Sequence, residues 1–227
     1  MSRRPITAMK TMAAAVALTA TLGAAGCSTA SSAYYGTLER FGIEKRDILV
    51  DRVEDASKAQ ADAKEDFSSA LDAFRNVVNV EGGDMEKAYD RLNRRYYTAE
   101  NQALEVRERI EDMKGVARDL FREWRIELDE YSDPGLRRIS EDQLNTTEAR
   151  YVTLARKMDD ASASMDPVLS VFKDRVLFLK HNLNARAIAA LGPESETIES
   201  DVATLIAEME QSIAEAEAFI ADMRSEA

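Results

Sequence analysis

Between residues 49 and 77, apolar positions recur four and three residues apart: Leu49, Val53, Ala56, Ala63, Phe67, Ala70, Phe74 and Val77. Gln60 is the one polar residue on that stripe. The alternation is the seam of helices packed side by side, and the alanines in it let a neighbour approach closely. Glu81-Gly82-Gly83 ends the pattern, because two glycines remove helix propensity and permit a turn.

A second seam runs through Met85, Tyr89, Leu92, Tyr96, Ala99, Ala103, Val106, Ile110, Met113, Ala117, Leu120 and Trp124 without a slip. Asp84 is placed to cap it. A helix from Asp84 to Tyr131 would be roughly 70 Å long. Ser132-Asp133-Pro134-Gly135 breaks it, and Ser140 with Gln143 could form a capping box for the next helix. That helix carries Leu144, Thr147, Tyr151, Leu154, Met158, Ala161 and Met165. At Asp166-Pro167 either a fresh helix starts or a long one bends. The apolar pattern resumes at once with Val168 and Phe172, which favours the bend.

Val176-Leu177-Phe178-Leu179 is apolar all round and is expected to be central in the packing. Leu191-Gly192-Pro193 is a stop, and a last helix carries Ile198, Val202, Leu205, Met209, Ile213, Ala216, Ile220 and Met223. Short connections make neighbouring helices antiparallel. The chain is therefore expected to be all-α: an elongated antiparallel, coiled-coil-like bundle of about four long helices over residues 43–227.

The first 42 residues read differently. Arg3 and Arg4 precede an uncharged, apolar stretch from Thr11 to Ala25, nearer a signal segment than the ~20 residues of a membrane span. It ends in Leu22-Gly23-Ala24-Ala25-Gly26-Cys27. Small residues before a cysteine resemble the bacterial lipobox, although Ala24 stands where leucine is usual. Cys27 is the only cysteine in the chain, so it can form no intramolecular disulfide. The reading is a signal peptide over 1–26, cut before a lipidated Cys27. Residues 27–42 would be a tether with a short amphipathic segment through Tyr34, Tyr35, Leu38 and Phe41. Resemblance to enterobacterial lipoproteins, with Ser28 after the cysteine, implies the periplasmic face of the outer membrane rather than the inner. The Ser2-Arg3-Arg4 run leaves Sec and twin-arginine export both open.

Charge narrows the function. The net charge is -12 over 227 residues. Such a chain repels nucleic acid and anionic headgroups, so no nucleic-acid partner is expected. One histidine and one cysteine exclude cysteine-rich zinc sites and paired-histidine motifs. There is no phosphate-binding loop and no dinucleotide fingerprint. A serine hydrolase would have to use His181, and no strand-to-helix turn presents a serine. No metal, cofactor or enzymatic activity is expected. The densest polar cluster is Lys180, His181, Asn182, Asn184 and Arg186, directly after the apolar run. In one continuous helix, Lys180 would share a face with Asn184, and Asn182 with Arg186. The cluster is read as a polar network at a bundle end or as an interaction site.

Three blocks carry a resemblance. They are Phe41 to Val53, Leu120 to Leu128, and Val176 to Leu191 with Lys180-His181-Asn182-Leu183-Asn184 at its centre. The chain resembles a family of uncharacterised proteobacterial lipoproteins that carry a domain of unknown function. Some members bear a "DNA repair ATPase" label. The missing phosphate loop, the sign of the charge and the export signal argue against that activity here. The expected role is a non-enzymatic, membrane-anchored interaction or spacer protein of the envelope, with a protein partner. The alternative is a helical binding module or chaperone for an apolar ligand or unfolded client. Oligomeric state is left open.

Overall fold

The computed structural model describes residues 45–80 and 84–225. These residues are 94% helical and contain no strand. They lie in one compact unit, 43–227. The helices are α1 (Lys45–Val78), α2 (Met85–Leu128), α3 (Pro134–Ala163), α4 (Met165–His181), α5 (Ala185–Leu191) and α6 (Ser195–Ser225), with a 3-10 turn at Gly192–Glu194 before α6. Cys27, the segment before it and the short segment through Phe41 lie outside the described residues, as do Gly82 and Gly83.

Cross-helix pairs fix the topology. Gln102 donates to the Ala59 carbonyl at 3.3 Å, and Lys45 pairs with Glu123, so α1 and α2 run antiparallel. On α2 and α3, Arg125 meets Glu148 and Lys114 meets Asp159, eleven residues on in both helices. Seven further, Arg107 meets Asp166 on α4. The register therefore carries through the α3–α4 junction. α6 returns beside both α1, through Lys64–Glu210 and Arg75–Glu199, and α3, through Arg150–Asp222 and Lys157–Glu215. The result is an up-down-up-down bundle of four rods, the third made of α3 and α4.

The sequence seam of α1 is buried throughout, Gln60 included. On α2 the seam is buried from Leu92 to Leu120, while Met85, Tyr89 and Trp124 near its ends are half-buried. Phe74 of α1 packs edge-on against Phe172 of α4, with ring centroids 6.5 Å apart. Phe121, Tyr151 and Phe219 form a second aromatic group joining α2, α3 and α6.

The junction at Pro167 is a bend. Only Ser164 leaves the helical pattern, its backbone stays right-handed (φ -68°, ψ -13°), and its N–H still bonds the Asp160 carbonyl at 3.1 Å. Proline has no N–H to offer the carbonyl four residues back, which is Ala163, so the interruption falls there.

Four local expectations need correction. Ser140 is no cap: α3 starts at Pro134, and Asp133 caps it by accepting from Gly135 at 2.6 Å and Leu136 at 3.1 Å. Ser140 instead accepts from Trp124 Nε1 at 2.9 Å. Asp84 makes no side-chain cap bond; its carboxylate accepts from Lys87 at 2.9 Å. The α6 seam position assigned to Ile213 is taken by Ser212, which is fully buried and turned toward Gln60. Finally, the run Val176–Leu179 is not buried all round. Val176 and Leu179 are buried, but Leu177 is 46% and Phe178 39% exposed.

Candidate functional site

The bundle has two ends. Lys45, Trp124, Ser140 and Met223 lie at one, where Arg46 donates to the Met223 carbonyl and its guanidinium stands 6.0 Å from the Trp124 ring. The connection from α4 to α6 lies at the other. There Arg75 of α1 clamps Glu199 of α6, through Nε to Oε1 at 3.0 Å and Nη2 to Oε2 at 2.9 Å. That hydrogen bond holds the Glu199 carboxyl below its ordinary pKa.

The five polar residues of the sequence cluster all lie at this second end, yet they do not form one network. α4 stops at His181. Asn182 closes it: its backbone N–H bonds the Leu179 carbonyl at 3.2 Å, and its Nδ2 donates to the Phe178 carbonyl at 3.0 Å. Asn184 starts α5, accepting from the Ala187 N–H at 3.0 Å. The two asparagines thus build the turn. The break removes the shared helical face expected for Lys180 with Asn184 and for Asn182 with Arg186. Lys180, His181 and Arg186 are exposed, and their side chains make no hydrogen bond or ion pair with other described residues.

Beneath them the corner is anchored by apolar burial. Leu179 from α4, and Ala187, Ile188 and Leu191 from α5, are all buried. Leu177 and Phe178 stand out beside the three cationic or ionisable residues. Their exposure was legible in spacing: Phe172, Val176 and Leu179 continue the four-three alternation and leave residues 177 and 178 off the seam. The α2–α4 register adds residues that sequence alone does not bring here. Eleven residues back from Arg107 and eleven on from Asp166, Tyr96 is level with Leu177. Arg94 and Arg91 then lie level with Leu179 and Asn182, and both are exposed.

Two other surface features lie away from the corner. A shallow open groove of about 470 Å³ runs between α1 and α6, lined by Ala61, Ile213, Ile220 and Ala221 with Glu54 and Arg224 paired at its rim. Ile126, Leu136 and Ile139 are exposed at the α2–α3 hairpin, at the bundle end opposite the corner. Among the described residues, no cluster of three or more His, Cys, Asp or Glu could hold a metal ion. No helix among them is long and apolar enough to cross a membrane.

The described residues thus form an all-helical bundle with an exposed cationic and apolar corner. The chain belongs to a family of proteins of unknown function, DUF2959, whose model matches residues 34–223. No curated protein and no solved structure matches it.

Proposed function

We propose that the chain is a lipid-anchored, non-enzymatic spacer or adaptor of the bacterial envelope. In this reading Cys27 carries the anchor, the bundle enters from residue 45, and the corner around Leu177 and Phe178 makes the far contact. One observation carries it: the entry at Lys45 and the exposed corner are at opposite ends of a bundle whose α2 alone has 44 residues, about 66 Å. A sole cysteine after a signal-like segment supports the anchor. Two or more acyl chains hold a protein stably where one is marginal.

The test is site-specific photocrosslinking in living cells. A crosslinker at position 178 should capture a defined envelope component, whereas one at exposed Val152, on the side of the bundle, should not. Cys27→Ser should leave a soluble or uncleaved chain without attached fatty acid and abolish the capture. Equal capture from both positions, or a chain with the natural Cys27 that takes up no labelled fatty acid, would sink this reading.

A second reading, a module that shelters an apolar ligand, is favoured by the groove between α1 and α6. Ile213→Glu would separate the two: it should abolish binding of an apolar probe under the second reading and leave capture at position 178 untouched under the first.

A further inference from the structure

The net charge of -12 argues against contact with anionic lipid, but that charge is unevenly placed. Residues 84–97 and 173–193, which meet at the corner end, hold eight Lys and Arg against four Asp and Glu, while the start of α6 at the same end, residues 195–201, adds three acids, of which Glu199 is paired with Arg75. From Arg175 to Pro193 there is no acid at all. Arg91, Arg94, Lys173, Lys180 and Arg186 are exposed and make no ion pair with described residues, against Glu86, Asp90 and Asp174 on the same helices and Glu196 at the start of α6. At the opposite end the balance reverses: residues 119–142 hold eight acids and four bases.

We propose that the corner formed by the end of α4 and by α5 docks directly on an anionic bilayer surface, with Leu177 and Phe178 entering the interface and Lys180 and Arg186 meeting lipid phosphates. Charge complementarity points to an anionic surface. The apolar pair points to a bilayer rather than to a folded protein. Exposed to 46% and 39%, the two side chains offer roughly 150 Å² for further burial, far below the ~1,000 Å² of a specific protein interface. Leu and Phe beside cations suit the boundary between headgroups and acyl chains. The rigid setting matters as well. Leu179 is fully buried directly behind the pair, and Asn182 ends the helix by bonding the Phe178 carbonyl, so both side chains are held outward. The acidic remainder of the bundle is repelled by the same surface, which confines contact to this end.

The inference takes its biological setting from the envelope reading, but its test does not depend on that reading. The compact unit 43–227 contains the whole bundle and lacks Cys27, so binding by it owes nothing to an anchor. It would be floated with vesicles of phosphatidylcholine alone and with vesicles also containing phosphatidylglycerol. Binding is expected only to the second kind and should weaken as salt rises. Each cation near such a surface is worth about fivefold in affinity, so Lys180→Ala with Arg186→Ala should weaken binding about 25-fold. Leu177→Ser with Phe178→Ser should weaken it at least tenfold, with helical content unchanged by circular dichroism. Ile139→Ser, at the opposite end, should have no effect. Failure to bind the phosphatidylglycerol vesicles at low salt would overturn the proposal. So would binding that neither double substitution alters. A single protein captured from position 178, with no vesicle binding, would replace the bilayer by an acidic protein partner. Loss of fatty-acid labelling in the Cys27→Ser chain in cells tests the anchor separately.

Discussion

Ser212 Oγ donates a hydrogen bond to Gln60 Oε1 at 2.8 Å, and both side chains are fully buried between α1 and α6. Gln60 Nε2 reaches the Met158 carbonyl of the third rod at 3.5 Å. One side chain thus joins three of the four rods in a layer that is otherwise apolar. Sliding α6 by one position against α1 would strand both polar groups, so the layer favours a single register.

This layer predicts a coupling. Ser212→Ala should destabilise the fold by about 1–3 kcal/mol, because it removes a partner and leaves the Gln60 oxygen buried. Gln60→Leu should cost a similar amount by stranding the Ser212 hydroxyl. The double substitution should cost less than the sum of the two, and denaturant titration of all four chains would measure the difference. Strict additivity would remove the layer from any role in register.

Thr147 is the opposite case. It occupies a seam position, 3% exposed, and its hydroxyl has no hydrogen-bond partner. Thr147→Val keeps the shape and removes the unpaired group. It should raise stability by about 1 kcal/mol, seen as an upward shift in melting temperature.

Alkaline unfolding should follow Tyr151. Burial pushes its hydroxyl pKa up from 10.0 to about 12; Arg118 opposes the rise, and Asp159 and Glu111 add smaller contributions to it. The folded state therefore holds the proton more tightly than the unfolded chain. Its contribution is intact below pH 10 and is lost as pH rises from 10 through about 12. Tyr151→Phe should flatten that part of the stability curve. Tyr96, also raised, by burial and then by its hydrogen bond to Glu100, should leave a residual slope.

The caps give a local prediction. Asn184→Ala removes the bond to the Ala187 N–H and should cost about 1 kcal/mol, with hydrogen exchange accelerated first across α5. Asp133→Ala, which loses two N–H partners, should loosen the start of α3 in the same way.

Most of the architecture was written in the four-three spacing, because burial in a bundle is decided by periodicity that any stretch of the chain displays. Leu49, Phe67, Leu92, Met113, Leu154 and Met209 fall on their seams by spacing alone and are all fully buried. The misses share a cause. Ser212 displaces Ile213 because its hydroxyl has a partner on another helix, and spacing within α6 carries no sign of Gln60. Ser140 resembles a cap until Trp124 is placed opposite it. The corner was half legible. Its polar residues were visible as a run, but the roles of Asn182 and Asn184 follow from where the helix stops. The company of Arg91 and Arg94 follows from inter-helix register, which no single stretch of sequence encodes.

The bundle's layout also bears on mechanical load. α1 lies against α2 and α6 along its length, with Lys45 tied to Glu123 at one end and Arg75 to Glu199 at the other. A pull between residue 45 and the far corner acts along the helix axes. It loads these long seams in shear, where many contacts must slip together, instead of peeling them apart one at a time. A chain stretched between two attachments would therefore transmit force as a tie while its core stayed closed.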